Sequence, residues 1–372
     1  MNKNRMIVLE NVTKSYGEKA ALQGISFDVE NGELCVLIGP SGCGKSTTLK
    51  LINRMLEPDG GEILIEGRSV RDFKPELLRR KIGYVIQSIG LFPHMKVSQN
   101  IAVVPSLLKW ERKRIGERVD YLLELVGLDP AIYRDKYPNE LSGGEAQRIG
   151  VARALASDPP LLLMDEPFGA VDPLNREILQ VEFLKIQRKL KKTVILVTHD
   201  LDEAIKLADK IVIMDMGRIV QIGQPENILS KPANSFVRNF VGTDRAIKRL
   251  SRFQVADYMN RASSTTIRRL KESNYKEAAS RRESRFLWIT DEMGILTGWI
   301  DFKNFKESDR LEEGITHVDP SNFAVRAEFT LKESLSRMLS QGVRSLPVTD
   351  EKNRLIGEIN LSTIEKLTEL EE

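Results

Sequence analysis

The run Gly39-Pro-Ser-Gly-Cys-Gly-Lys-Ser46 has the spacing GxxxxGK[ST]. Gly39, Gly42 and Gly44 let the backbone turn tightly enough for the N–H groups from Ser41 through Cys43 to Thr47 to curl around phosphate oxygens. Lys45 then reaches the terminal phosphates and the Ser46 hydroxyl ligates Mg²⁺. Downstream, Leu161 to Met164 leads into Asp165 and Glu166. A hydrophobic strand there delivers Asp165 to a metal shell and leaves Glu166 to take a proton from attacking water. Pro167 opposes immediate continuation into a helix, so both carboxylates belong at a strand end. His199 follows the apolar run Val194 to Thr198, and Gln87 follows Ile82 to Ile86. His199 is placed to hold a γ-phosphate and orient water. The Gln87 amide is placed to touch Mg²⁺ or that water, while the loop after it senses a partner. Tyr16 offers a ring for stacking on a purine, although taken alone it reads better as a core or surface tyrosine. His94 and His317 are read as structural.

These groups converge only if parallel strands bring their C-terminal ends to one edge. Glu33 to Ile38 suits a buried parallel strand, and Lys45 to Met55, free of breakers, a helix whose N-terminus faces the anion. Ile82 to Ile86, Leu161 to Met164, Thr193 to Thr198 and Lys210 to Met214 alternate with amphipathic stretches, an α/β pattern with a largely parallel sheet. Gln87 to about Ala156 turns helical, with apolar spacing in Glu117 to Val126 and Ser142 to Leu155. Gly61 to Gly67 and Gly217 to Gly223 read as short antiparallel additions.

A chain of 372 residues, 41% hydrophobic and 29% charged, has material for two or three globular domains. A net charge of +3 with mixed signs selects no polyanion, so no nucleic-acid polymer is expected. Cys35 and Cys43 belong to one strand–loop unit and imply a reducing compartment rather than a disulfide framework. No segment has the ~18 apolar residues of a membrane span, so membrane work would need another chain.

After Gly242 the charged run Asp244 to Arg252 reads as a linker or connecting helix. An internal repeat follows: Ser284–Phe305 aligns with Val343–Ile364 without a gap, identical at 8 of 22 positions, including Leu287/Leu346, Asp291/Asp350 and Gly298/Gly357. Each copy reads helix, strand, Asp-containing turn, strand, helix.

The ordered set of phosphate loop, Gln87, Leu141-Ser-Gly-Gly-Glu145, Asp165-Glu166 and His199 resembles the ATP-binding cassette family over residues 1–240. The resemblance implies a P-loop α/β cassette with a helical subdomain at about 88–156, a linker at 241–252 and a second module at 253–372. It makes Tyr16 the adenine-stacking ring, Gln87 the Q-loop residue, Ser142, Gly143, Gly144 and Glu145 the signature, Asp172 the D-loop acid and His199 the switch histidine. It implies ATP and Mg²⁺, the metal held by Ser46, Gln87 and Asp165, and a homodimer with each ATP between one subunit's phosphate loop and the other's signature. Ser142 also suits a simple helix cap. Two departures stand out: Glu145 where glutamine is usual, an extra charge expected near the nucleotide, and Gly-Ala-Val-Asp172 where the D-loop commonly begins with serine.

Leu51-Ile-Asn-Arg54, Gly90-Leu-Phe-Pro-His94 and Asp202 to Asp209 narrow the resemblance to ATPase subunits of bacterial importers for quaternary ammonium osmoprotectants such as glycine betaine, carnitine and choline. Such a subunit works peripherally on the cytoplasmic face of the membrane, with permease subunits and an extracytoplasmic substrate-binding protein. Another small solute, or a soluble non-transport role, are the alternatives. Val343-Arg-Ser-Leu-Pro-Val-Thr-Asp350 resembles cystathionine β-synthase (CBS) modules, implying a tandem pair at about 253–308 and 312–372. The resemblance suggests cyclic di-AMP or another adenine nucleotide as regulator, or a structural dimerisation role. Asn304 and Thr363 stand where such modules often carry a ribose-gripping acid.

Overall fold

Leu34–Ile38 is buried at every position, and its side chains divide between two cores: Leu34, Val36 and Ile38 in one, Cys35 and Leu37 in the other. That is how a strand covered on both faces reads, as a continuous apolar run. The computed structural model describes residues 5–87, 90–169, 171–242, 244–272, 286–301 and 314–368. The chain divides into two units, Met1–Val241 and Gly242–Glu372.

In the first unit the strands are β1 (Arg5–Tyr16), β2 (Lys19–Glu30), β3 (Leu34–Ile38), β4 (Gly60–Ile65), β5 (Arg68–Ser69), β6 (Ile82–Val85), β7 (Leu161–Asp165), β8 (Thr193–Thr198), β9 (Lys210–Asp215) and β10 (Arg218–Gly223). The central sheet runs β10-β9-β3-β8-β7-β6, parallel except for β10. One face packs against the helices Val97–Leu107, Arg112–Leu125 and Gly143–Leu155, the helical stretch read from the sequence. The other packs against the Lys45–Ile52 helix and an antiparallel sheet, β2-β1-β4-β5. β4 is the antiparallel addition expected from Gly61 to Gly67, whereas the long β1–β2 hairpin beside it is not among the expected strands. Three further elements differ at their ends. The Lys45 helix stops at Ile52, β6 stops at Val85, and the helix read from Glu117 starts at Arg112.

The second unit carries the repeat into structure. Phe286–Thr290 pairs antiparallel with Leu296–Asp301, and Ser345–Thr349 with Leu355–Asn360, with the same register shift in both hairpins. Each turn is closed by an aspartate: Asp291 Oδ1 accepts from the N–H groups of Met293 and Ile295, and Asp350 Oδ1 from those of Lys352 and Arg354. The turns also pair with each other, Leu296 N–H donating to Asn353 O and Leu355 N–H to Gly294 O. The symmetry is local. Trp288 of the first hairpin donates through Nε1 to Glu358 of the second at 2.7 Å, and Glu358 is 2% exposed. Arg285, identical to Arg344 in the repeat alignment, and Asn304 lie outside the described residues.

Candidate nucleotide site

The parallel register fixes the site. Ile38 lies opposite Thr198 and Asp165 opposite Val197. The phosphate loop after β3, His199 after β8, Asp165 and Glu166 ending β7, and Gln87 after β6 therefore share one sheet edge. Two glycines of the loop are required by their surroundings. A Cβ on Gly39 would stand 2.0 Å from the Met214 carbonyl oxygen, and one on Gly44 2.7 Å from that of Ala21. Gly44 also takes φ +108°, a conformation side chains rarely adopt. Lys45, 6% exposed, donates to the carbonyls of Gly39 (2.6 Å) and Pro40 (2.9 Å). Its buried ammonium thus has neutral partners within the loop, which leaves its charge to favour an anion. Cys43 is a free, buried thiol whose pKa burial raises.

Ser46 Oγ donates to Asp165 Oδ1 at 3.0 Å. Burial raises the Asp165 pKa against the opposing Ser46 bond, and the neighbouring Glu166 adds to the rise. A hydroxyl and a carboxylate joined in this way form an oxygen donor pair of the kind Mg²⁺ takes. Glu166 has both carboxylate oxygens engaged. Gln87 Nε2 donates to Oε2 at 2.8 Å, and His199 Nδ1 lies 3.3 Å from Oε1. The Glu166 backbone sits at φ +46°, pinned by its N–H to Val197 O at 2.9 Å. Gln87 and His199, from separate segments of the sequence, therefore both meet Glu166.

Ser142 caps the Gly143–Leu155 helix, its hydroxyl accepting from Glu145 N–H at 3.3 Å while Glu145 Oε2 accepts from Ser142 N–H at 2.7 Å. The Tyr133 hydroxyl donates to Glu145 Oε1. The Tyr133 and Ser142 bonds together hold the Glu145 carboxyl below the usual glutamate range. The sequence reading expected Glu145 to add charge near the nucleotide. In the structure that carboxylate also completes a capping box, drawn by the orphan N–H groups at the helix start, while Glu145 stays among the residues of the signature cleft. Ser142, Gly143, Gly144 and Glu145 line a cleft together with exposed Asp172. The signature and the phosphate loop make no direct contact within the chain among the described bonds. Tyr16, 51% exposed, ends β1 in the hairpin whose Ala21 and Leu22 approach Gly44. No described contact joins its ring to the loop.

Sequence reasoning missed the brace behind His199. Glu203, buried, accepts from Gln180 Nε2 at 3.3 Å and from the Thr198 hydroxyl, and burial raises its pKa. It also missed Tyr133. The signal in both cases is a three-dimensional pairing with no fixed spacing.

A model of the ABC transporter family matches residues 22–169, and one of the CBS domain matches residues 315–367. The chain is 46% identical over 362 residues to the glycine betaine/carnitine/choline transport ATP-binding protein OpuCA of Bacillus subtilis, covering 96% of this chain and 95% of the relative. It is 46% identical over 363 residues to the osmoprotectant import ATP-binding protein OsmV of Salmonella typhimurium, covering 95% and 94%. Among solved structures, the cassette MJ0796 in a dimeric post-hydrolysis state bound to ADP and Pi is similar at 33% identity and TM-score 0.54, covering 59% of this chain and 99% of that one. Among the described residues, no helix is long and apolar enough to cross a membrane.

Proposed function

Since the chain belongs to the ATP-binding subunits of ABC transporters, we propose that it hydrolyses ATP to drive import of quaternary ammonium osmoprotectants, glycine betaine, carnitine or choline. The observation that carries the hydrolytic part is the Gln87–Glu166–His199 contact set beside the Ser46–Asp165 pair. The solute class rests on the named relatives. The reading takes residues 1–240 as the motor, 241–252 as linker and 253–372 as paired CBS modules.

In this reading the N–H groups of Ser41 through Thr47 and the Lys45 ammonium hold the phosphates. Ser46, Asp165 and Gln87 would hold Mg²⁺, which when bound neutralises charge on the phosphate oxygens. Glu166 accepts the proton of the attacking water, and His199 and Gln87 keep its carboxylate aimed. Because the signature does not meet the phosphate loop within one chain, the site is completed by Ser142 to Glu145 of a second subunit. Their N–H groups open a helix and so favour an anion. Asp172, in the same cleft, belongs to that dimer face. The Gln87 loop meets the permease on the cytoplasmic side of the membrane, and a separate binding protein delivers the solute.

For residues 253–372 the reading is regulation by an adenine nucleotide, cyclic di-AMP in particular. Thr363 stands where a ribose-gripping acid would and accepts from Asn260 Nδ2 at 3.5 Å, which disfavours a mononucleotide. Calorimetric titration of the full chain with cyclic di-AMP and with AMP tests this. Heat from AMP alone, or from neither, rejects it.

The central test is uptake of labelled glycine betaine, carnitine and choline in salt-stressed cells lacking other transporters for them. Cells carrying wild type are expected to accumulate at least one solute, and cells with Glu166→Gln at matched expression none. Equal uptake in the two rejects the osmoprotectant assignment.

A further inference from the structure

The Gly143–Leu155 helix bears Ser142 at its cap and Arg153 near its far end, about 16 Å apart at the α-helical rise. Arg153 does not face the nucleotide edge through any described bond. Its Nη1 donates to the Gly90 carbonyl at 2.6 Å, and its guanidinium carbon lies 6.0 Å from the centre of the Phe92 ring. Gly90 is three residues after Gln87 and takes φ +59°. A Cβ there would stand 2.5 Å from Ile86 Cδ1, so this turn is packed against the residue preceding Gln87. From the other side Asn100, fully buried, accepts from Phe92 N–H at 2.8 Å and donates to the carbonyls of Phe92, Met95 and Lys96. The backbone after Gln87 is therefore clamped by one side chain from the Val97–Leu107 helix and one from the signature helix.

A partly buried arginine is a costly way to pack a helix end, and an aliphatic side chain would fill the space with less desolvation. What the guanidinium adds is direction. Its planar fork fixes the carbonyl it grips relative to its own helix axis, which a flexible ammonium does not. A helix is stiff over this length, so moving the carbonyl end reorients the Ser142 end.

We propose that Arg153 is the positioning residue joining the Gln87 loop to the signature helix, so that displacement of the loop by the permease is delivered as rotation of that helix and hence of Ser142. This rests on the transport reading above, in which the Gln87 loop meets the permease. The same link works in reverse, since coupling between two sites is reciprocal. Closure of Ser142 on the second subunit's ATP pulls on the loop.

The test compares ATP turnover of the assembled transporter, purified from membranes through a tag on this chain and supplied with glycine betaine-loaded binding protein, with turnover of the isolated chain. In wild type the ratio of the two exceeds one. Arg153→Gln is expected to lower that ratio at least ~5-fold while the KM for ATP of the isolated chain stays within about twofold. Arg153→Lys keeps the charge without the fork and is expected to give an intermediate ratio. It also serves if the glutamine variant does not fold. A wild-type ratio in either folded variant overturns the proposal. So does a parallel fall of both turnovers, which would make Arg153 merely structural. If the wild-type chain hydrolyses no ATP in either setting, the transport reading fails instead, and the two failures are told apart.

Discussion

Glu145→Gln, which installs the commoner signature residue, separates a charge facing the nucleotide from a charge that caps a helix. In the structure the Glu145 carboxylate accepts from Ser142 N–H at 2.7 Å and from the Tyr133 hydroxyl. A charged acceptor is worth about twice a neutral one, ~1.5–3 against ~0.5–1.5 kcal/mol. Losing the favourable placement at a helix start removes a further ~0.3–1 kcal/mol. The glutamine amide still supplies an oxygen, and the site is partly open to water. The net loss is therefore about 1 kcal/mol, which for a unit of this size lowers Tm by ~2–4 °C. Because folding holds the Glu145 pKa below its ordinary range, the stabilisation is fully present above the unfolded-state pKa. It disappears as pH falls through the lower folded value. Calorimetry of the full chain, following the transition that added ATP raises, should show the deficit at pH 7 and its closure in acid. A deficit unchanged with pH, or a variant more stable than wild type at pH 7, would refute the capping account.

Three further outcomes follow from the site. Glu166→Gln should retain ATP binding while single-turnover phosphate release slows at least ~10²-fold, and undiminished release would remove Glu166 from the role of base. Gly44→Ala, whose methyl would stand 2.6 Å from Leu22 Cδ2 at φ +108°, should weaken ATP binding more than tenfold (roughly, given strain of ~1–3 kcal/mol). Fluorescent-nucleotide titration checks it, and wild-type affinity would show the loop to be more yielding than its packing implies. Glu358→Ala strands the Trp288 indole N–H in the second unit and should destabilise that unit by ~1–3 kcal/mol. ATP turnover of the isolated chain should stay within about twofold of wild type, and a dead enzyme would show that the second unit is required for hydrolysis.

The nucleotide edge was legible in the sequence because each of its parts is local. A strand read from five apolar residues predicts where its next residue lies, and parallel pairing then brings Lys45, Asp165, Glu166, His199 and Gln87 to one edge. The repeat was legible for the same reason, since its hairpins keep one register and one aspartate-closed turn. The β1–β2 hairpin was not. Its register shifts at several points, as between Leu9 and Val12, and these break the alternation by which a strand is recognised. Tyr133 on Glu145, Arg153 on Gly90 and Glu203 on Gln180 were equally hidden. Two of these pair side chains from different helices and the third pairs a helix side chain with a loop carbonyl, and no spacing rule constrains which residues meet there.

The left-handed backbone of Glu166 places turnover and robustness in opposition. A non-glycine residue held at φ +46° carries about 1–3 kcal/mol of strain that glycine at the same position would release. In a gene copy no longer selected for ATP hydrolysis, Glu166→Gly would release that strain, set against the Gln87 and His199 contacts it gives up and the ordering cost of glycine. Loss of the Glu166 carboxylate and relief of its backbone strain would arrive in one step. A selection for thermal survival alone should recover that substitution where the relieved strain outweighs the lost contacts.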